Sequence, residues 1–479
     1  MSIAHSPFAR LRLAGTSLAC ALLALSGCAS YDVNQGLAQV NVSTEPFAGA
    51  QVQLSQTAQD QARLQALSAQ LLARPVDAPA AVQLFMTNSS AFQALLAEQW
   101  AQATQAAQHG RISNPMFSFE RMAAGPETEL TRLLSFGLLD VLTLPARHAI
   151  AQQRLQRQHL QLTADVVDQV TRVRQAWVEA VAAKESLAYA QKVHDLAWAG
   201  AELAKKMQDA GNFNRITQAR HQAQYADAAI ALTLARQNAQ SRQLALVRQL
   251  GLTPEQARQL TLPDHLPALP PQPLPPETVV SGLGEQRLDV QMARAQWQAA
   301  AKAQGLGNIT SLTDVEMTVR RTTVDDGAGS LTRSKGYEIG VRLPVFDSGN
   351  LVRQSLSAES LAAYHQLESV LRAASTHVQQ SYGAYRAAYD VAQYYRNDVL
   401  PLQKTINEEN ILRYNAMLIG VFDVLADARQ QMTAVMAAID AQRQFWLADA
   451  ALHASLMGRP MDTTLTAKAS AGNASAGGH

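Results

Sequence analysis

Apolar side chains recur at every third or fourth position over most of the chain, which is the period of an amphipathic helix. The longest such stretch runs from Pro145 to Pro254, with no other proline between them and only Gly200 and Gly211 before Gly251. Because proline removes a backbone donor and clashes inside a helix, its absence permits very long helices. The stretch therefore predicts two antiparallel helices that turn near Gly211.

Two short regions change to a period of two, which is the period of a strand. In the first region Phe117 and Phe119 alternate with polar residues, and after a turn a second strand is expected from Leu130 to Leu142. The second region has apolar residues at alternate positions on both sides of a turn, and these are Val315, Met317, Val319, Tyr337, Ile339, Val341 and Leu343. One polar and one apolar face fit a water-filled barrel in lipid as well as a half-exposed sheet.

The same order of elements occurs twice: strand, turn, strand, Leu-Pro, long helix, turn, long helix. In each copy the first long helix carries an apolar stripe that would face another helix. The stripes are Val166, Val170, Val173, Trp177 and Ala180, and Val378, Tyr382, Tyr385, Tyr389 and Ala392. The predicted fold class is mainly α with a small β part, built from long antiparallel helical hairpins in two internal repeats. Pro401 is expected to kink the second copy.

The predicted boundaries follow these patterns. The first repeat is 81–250 and contains a helix, the strand pair 114–142 and the hairpin 146–250. A proline-rich extended connector follows at 251–290. The second repeat is 291–458 and contains a helix, the strand pair 309–343 and the hairpin 351–458.

The chain starts with a pattern typical of a processing signal. Basic residues precede an apolar run that ends in Leu25-Ser26-Gly27-Cys28, so residues 1–27 are interpreted as a signal peptide and Cys28 as the acylated N-terminus. The alternative is a simple secretory signal with an incidental cysteine. Residues 28–80 are expected to be extended after the lipid, with a short helix at Ala58–Leu72. The tail 459–479 is expected to be disordered because it is rich in Ala, Ser, Gly and Thr.

Composition excludes several functions. The chain has 479 residues with 40 Lys and Arg against 39 Asp and Glu, and this balance argues against nucleic acid as a partner. Cys20 would leave with the signal peptide, so no disulfide framework and no thiolate metal site is expected. The sequence contains no recognisable catalytic, phosphate-binding or zinc motif. It therefore predicts a protein that is not an enzyme and that needs no cofactor and no metal.

Several motifs resemble those of the TolC-like outer-membrane efflux protein family. They are the lipobox at Cys28, Asn114-Pro115 before the first strand, Leu343-Pro-Val-Phe-Asp-Ser-Gly349 after the last, and Arg413-Tyr414 followed by Asp423-Val424-Leu425. The resemblance covers residues 81–458. It implies a homotrimer whose strands close one transmembrane barrel and whose helices form a tube across the periplasm. It also implies a lipid-anchored outer-membrane location, a periplasmic adaptor and an inner-membrane pump as partners, and a passive exit duct for efflux or type I secretion.

The resemblance also implies functional positions. The periplasmic gate would use Tyr414, Asp423 and Asp427, although the family's second gate acid falls on Ala426 and its glycine after the tyrosine is Met417. The alternative for Asp423 is a solvated acid at a helix start. The adaptor-docking tips would be Gly211, Asn212, Phe213, Leu418, Ile419 and Gly420. The barrel lumen would be lined by Glu316, Arg320, Glu338 and Arg342.

Two other functions compete with the duct. A periplasmic coiled-coil adaptor also has a lipobox and long helices, but it carries one hairpin flanked by β-rich domains, whereas this chain predicts two hairpins, each after a strand pair. An enzyme or solute-binding lipoprotein is disfavoured because the sequence lacks a catalytic cluster and an alternation of strands and helices. The transported substrate does not follow from the sequence.

Overall fold

The computed structural model describes residues 32–277, 286–312 and 314–461. The predicted signal peptide 1–27, Cys28 and most of the tail 459–479 lie outside this part. In chain order the helices are α1 (Val33–Ala48), α2 (Ala58–Leu72), α3 (Ala78–Asn88), α4 (Ser90–Gln108), α5 (Leu138–Leu142), α6 (Leu144–Asp209), α7 (Arg215–Leu250), α8 (Pro254–Gln259), α9 (Leu288–Thr310), α10 (Asn350–Tyr394), α11 (Leu400–Asn415) and α12 (Val421–Leu456). In the described part of the chain, no helix combines the length and apolarity that crossing a bilayer requires.

The strands form one antiparallel sheet in the order β1-β2-β3-β4. Their bounds are β1 (Met116–Ala124), β2 (Glu127–Gly137), β3 (Val315–Asp325) and β4 (Leu331–Val341). The register pairs Leu134 with Val319, and Val319 with Tyr337. The strands β1 and β4 are therefore edges, each with one row of backbone groups that this sheet leaves unpaired.

The contacts divide the chain into two compact units. One, called here the sheet unit, contains 99–158 and 295–364, which include all four strands. The other, called here the hairpin unit, contains 159–294 and 365–461 together with 37–98. Each unit thus draws on both predicted repeats.

The predicted stripes form much of the core of the hairpin unit. Trp177 on α6 is 2% exposed, and its indole Nε1 donates to the Val76 carbonyl at 2.8 Å. On α10, Tyr385 and Tyr389 are buried and their rings lie 5.4 and 5.7 Å from the ring of Phe445 on α12. Burying aromatic side chains of this size supplies a large share of helix packing energy. The burial expected for the two stripes is confirmed, with Tyr382 only partly buried.

The proline-rich segment packs on the second stripe. Residues 260–275 form neither helix nor strand, but the connector predicted for 251–290 also contains the helix α8 and the start of α9. Their backbone is bound by tyrosine hydroxyls: Tyr382 donates to the Leu274 carbonyl at 3.1 Å, and Tyr389 donates to the Pro270 carbonyl at 3.1 Å. A segment without secondary structure thus finds hydrogen-bond partners in side chains.

Two further predicted elements differ from the structure. The segment expected to be extended before α2 contains the helix α1, in which Val40, Thr44 and Ala48 are buried on one face. Because this face includes the small residue Ala48 and the polar residue Thr44, the helical period is weak in the sequence. The predicted helix Ala58–Leu72 is confirmed. The strand expected to reach Leu142 ends at Gly137, which is the N-cap residue of α5.

Pro401 lies in the first turn of α11, directly after a π-helical turn at Tyr395–Val399. Proline cannot donate to the preceding turn, and the widened π turn accommodates this loss. The expected irregularity therefore occurs, but it begins before the proline.

Candidate functional site

The turn between α6 and α7 is a Schellman motif. The Gly211 amide donates to the Gln208 carbonyl at 2.9 Å, and the Asn212 amide donates to the Met207 carbonyl at 2.8 Å. Gly211 has a φ of 80°, the left-handed conformation that this motif needs and that glycine adopts at little cost. Asn214 then caps α7, since its side chain accepts from the Thr217 amide.

The turn between α11 and α12 has the same hydrogen bonds without the glycine. The Met417 amide donates to the Tyr414 carbonyl, and the Leu418 amide donates to the Arg413 carbonyl, both at 2.9 Å. Met417 takes the left-handed position with a φ of 59° and is 94% exposed. Gly420 stands at the N-cap of α12, as Asn214 does at that of α7. The second hairpin therefore reproduces the turn of the first at the expense of backbone strain at Met417.

The predicted gate residues lie around this second turn. Tyr414 is in the last turn of α11 and is 43% exposed. Asp423 is in the first turn of α12, where its Oδ2 accepts from the Gly420 amide at 2.9 Å. Asp427 lies one turn further along and accepts a hydrogen bond from the Asn410 side chain on α11. Among the described residues, no hydrogen bond joins Tyr414 to either acid, so the three line one hairpin end without forming a cluster.

The geometry gives Asp423 a structural role of its own. A carboxylate at this position satisfies a free amide of the first turn and interacts favourably with the helix dipole. This is the alternative considered for Asp423 from the sequence, and it does not conflict with a charge exposed at the tip.

The tips of the two hairpins contact each other within the hairpin unit. The Phe422 ring lies 5.1 Å from the Phe213 ring and 4.5 Å from the His221 ring. Next to these rings, Arg429 Nη1 donates to Gln224 Oε1 at 2.7 Å. Partial burial lowers the pKa of His221 below its ordinary value of 6.5, and the nearby Arg429 charge lowers it further. We call Phe213, His221 and Phe422 the tip cluster.

The expected docking residues differ in exposure. Gly211, Asn212, Leu418 and Gly420 are exposed, whereas Ile419 and Phe213 are only partly exposed, Phe213 because it packs in the tip cluster. Further apolar side chains are exposed beside the turns, with Ile216 at 66% and Leu412 at 61%.

The sheet unit brings the predicted lumen residues to one face. Directly paired residues of neighbouring strands lie on the same face, and the register pairs Glu338 with Thr318 and Glu316 with Gly340. By alternation Arg320 is on this face as well, and Arg342 continues it beyond the end of β4. Hydroxyl pairs cross the same face, with Ser135 and Thr318 at 2.9 Å and Thr131 and Thr322 at 3.1 Å. The polar face of the sheet is thus continuous over all four strands.

Sequence reasoning missed the tip cluster and the strained turn. Phe422 stands beside the predicted gate acid, but only the packing of the two hairpins shows that its ring meets Phe213. The sequence shows Met417 where the family has a glycine. That Met417 has a positive φ is known only from the backbone of the structure.

Comparison with known proteins places this fold. No protein-family model and no curated protein matches the sequence. The structure is similar to that of the outer-membrane protein VceC from Vibrio cholerae, with a TM-score of 0.62 and 17% identity over 83% of this chain and 96% of that chain. It is also similar to the CmeC outer-membrane channel of Campylobacter jejuni, with a TM-score of 0.60 and 14% identity over 85% of this chain and 89% of that chain.

A third neighbour is the open state of the MtrE outer-membrane channel of Neisseria gonorrhoeae, with a TM-score of 0.55 and 18% identity over 84% of this chain and 91% of that chain. The three matches cover 96%, 89% and 91% of the neighbours' chains. The resemblance found in the sequence is therefore confirmed at the level of structure: the chain has the fold of the TolC-like outer-membrane efflux channels.

Proposed function

We propose that three copies of this chain form a passive exit channel in the outer membrane, and that the helical hairpins gate it from the periplasm. The observation that carries the proposal is the four-stranded sheet, which is open at both edges, with most of its carboxylates on one face and rows of apolar residues on the other. The fold shared with outer-membrane channels supports the same conclusion.

The open edges favour closure with other copies. In lipid an unpaired strand edge is costly, and a closed barrel removes it. Since β1 and β4 run in opposite directions, β1 of one copy fits against β4 of the next as another antiparallel pair. A ring of identical copies then closes the sheet.

The two faces assign an inside and an outside. Phe117, Val319 and Tyr337 are 64%, 44% and 74% exposed on the apolar face, where lipid would cover them. Glu316, Arg320, Glu338 and Arg342 would line a water-filled lumen. Enclosing this face in water keeps its carboxylates away from lipid.

The hairpin tips are proposed as the gate and as the docking site for a periplasmic adaptor, which in turn contacts an inner-membrane pump. Copies of Asp423 around an axis repel one another and favour cations. Opening by a shift of one hairpin against the other would separate the tip cluster and the Arg429–Gln224 hydrogen bond. Exposed apolar residues such as Leu418 and Ile216 offer contacts to a partner. The cargo class, whether small molecules or exported protein, depends on the pump.

Membrane attachment is proposed to include a lipid on Cys28. One acyl chain alone binds a membrane only weakly, so the barrel would provide the lasting attachment. We expect Cys28→Ser to abolish incorporation of labelled fatty acid, while Cys20→Ser, the matched control in the apolar run, leaves it unchanged. Continued labelling of the Cys28 variant would refute the lipid assignment.

The channel itself is tested on detergent-extracted protein. We expect an oligomer of three chains that resists denaturation until heated, and ion conductance after insertion into a planar bilayer. Disulfide crosslinking between a cysteine introduced on β1 and one introduced on β4 would show the contact between copies. A monomer without conductance would overturn the proposal.

A further inference from the structure

The charges of the sheet are sorted by face. On the polar face the strands carry five carboxylates and one guanidinium, namely Glu120, Glu127, Glu129, Glu316, Glu338 and Arg320. On the apolar face they carry five cations, namely Arg121, Arg132, Arg321, Arg333 and Lys335. We call these five the basic belt. The sole acid of the strands on that face is Asp325, whose Oδ1 accepts from the Gly327 amide in the adjoining turn.

The basic belt occupies two neighbouring rows. The register places Phe119, Arg132, Arg321 and Lys335 side by side across the four strands. The next row towards the turns contains Arg121 at one edge and Arg333 at the other. Directly opposed side chains have Cβ atoms about 5 Å apart, and like charges at this distance destabilise a sheet. Three adjacent cations therefore call for an anion that the strands themselves do not provide.

The belt has no partner within the sheet. All five side chains belong to exposed residues. Among the described residues, none of the five forms a salt bridge, although ion pairs occur at many other places in the chain. The anion that balances the belt must therefore come from outside the chain or from another copy.

The belt lies in the half of the sheet nearer the hairpin turns. Both hairpin turns, at Gly125 and Gly327, are at one end of the sheet, and the helices α5 and α9 adjoin the other end. Below the belt the face is apolar, with the row Phe117, Leu134, Val319 and Tyr337, and then the row Phe136, Met317 and Ile339. A cation on the lipid face is destabilising at the bilayer midplane and nearly neutral at the interface. The order of the rows fits apolar residues in the acyl chains and the belt at the headgroups.

We propose that the basic belt binds phosphate groups of anionic lipid headgroups in the outer leaflet, the leaflet that the hairpin turns reach. This inference rests on the proposed outer-membrane channel. Arginine presents a planar fork of donors that matches phosphate, and lysine adds a flexible point charge. Pairing β1 of one copy with β4 of the next would place Arg121 on the strand next to the one that carries Arg333 and Lys335, so the belt would continue around the barrel. The closed ring would thus hold a collar of phosphate-bearing lipid.

The test compares two belt arginines, Arg132 and Arg321, with Arg320, which precedes Arg321 in sequence and lies on the opposite face of the sheet. The detergent-solubilised oligomer is mixed with phosphorylated lipid A, with dephosphorylated lipid A or with phosphatidylcholine, and retained lipid is counted by native mass spectrometry. We expect wild type to retain the phosphorylated lipid selectively. Arg132→Gln with Arg321→Gln should weaken retention about fivefold per charge removed. Arg320→Gln, on the polar face, should leave retention unchanged.

A second measurement covers the case in which the double variant fails to assemble. Raising salt should release the phosphorylated lipid from wild type, because screening weakens exposed charge pairs. The inference is overturned if wild type retains all three lipids equally, if retention is independent of salt, or if the Arg320 variant loses as much lipid as the double variant. Conductance is recorded separately in phosphatidylcholine bilayers. If the protein conducts but does not select the phosphorylated lipid, only the lipid-binding proposal is wrong. If it selects the phosphorylated lipid but does not conduct in these bilayers, only the channel proposal is wrong.

Discussion

Gly211 and Met417 occupy the same position in the two hairpin turns, with φ values of 80° and 59°. In each case the amide of this residue bonds to the carbonyl three residues earlier, and the N-cap of the next helix follows three residues later. The two tips are thus copies of one turn that differ in whether a side chain is present. Such a difference between equivalent positions makes the cost of the side chain measurable.

We predict that Met417→Gly raises the stability of the protein. Left-handed backbone costs a residue with a side chain about 1–2 kcal/mol relative to glycine, and the exposed Met417 side chain gives up little packing. The measurement is the midpoint of thermal unfolding in detergent. Gly211→Ala is the matched control, because a Cβ there meets no atom within 4 Å and tests the backbone alone. The control should lower the midpoint, and a lower midpoint for Met417→Gly would contradict the strain.

Asp289 is predicted to be essential to the stability of the hairpin unit. The Arg287 side chain is 1% exposed, and it donates to Asp289 at 2.7 Å and to the Ser455 carbonyl at 2.8 Å. Removing one partner of a buried pair leaves an uncompensated charge and costs about 3–5 kcal/mol. We expect Asp289→Ala to lower the unfolding midpoint strongly.

The control for Asp289 is the exposed pair of Arg258 and Glu255, whose side chains are 72% and 70% exposed. Exposed pairs contribute about 0–1 kcal/mol, so Glu255→Ala should change the midpoint little. Similar effects for Asp289→Ala and Glu255→Ala would show that burial of Arg287 is not costly in this protein.

For Asp423 the gate and the helix cap predict different results. Asp423→Asn removes the charge but keeps an oxygen that accepts from the Gly420 amide, whereas Asp423→Ala removes both. If charge gates the tip, both variants raise conductance and reduce the preference for cations in single-channel recordings. If the residue only caps α12, the Asp423→Asn variant conducts as wild type does. Asp423→Ala then lowers the free energy of unfolding by about 1 kcal/mol.

Acidification is predicted to loosen the hairpin tips. Burial in the tip cluster and the Arg429 charge lower the pKa of His221, so the unfolded chain binds this proton more readily than the folded protein. Stability therefore falls as pH decreases through the usual histidine value of 6.5 towards the lowered value, and it is fully regained above 6.5. The measurement is the thermal midpoint as a function of pH.

His221→Phe keeps a ring beside Phe422 and removes the titration. We expect this variant to show a shallower fall of the midpoint on acidification. Part of the fall should remain, because burial also lowers the pKa of His159 on α6. An identical pH dependence in wild type and variant would exclude His221 as a contributor.

Periodicity predicted the elements in which one face is strongly apolar. The stripe around Trp177, the strand from Val315 and the helix Ala58–Leu72 all occur where the pattern indicates. It failed for α1, whose buried face combines the apolar residues Leu37 and Val40 with the small residue Ala48 and the polar residue Thr44. Such a face becomes recognisable only when its packing partner is known.

The candidate site was predictable to a smaller extent. Asp423 and Tyr414 could be named through motifs, and both lie at one hairpin end, whereas their role in a gate stays a prediction. The contact of Phe422 with Phe213 depends on how two hairpins distant in sequence pack together. The sorting of Arg320 and Arg321 to opposite faces was implicit in alternation, but the row that joins Arg321 to Arg132 requires the strand register.

The two open edges of the sheet have a genetic consequence. If each copy supplies one sector of a ring, a copy with a damaged edge spoils every ring that it enters. A proline at a β1 position that pairs with the next copy would remove a backbone donor there. When such a variant is co-expressed with wild type and the ring has the proposed three copies, the fraction of intact rings should fall as the cube of the wild-type fraction. Edge mutations in this gene would then be dominant, whereas mutations that prevent folding of the whole chain would be recessive.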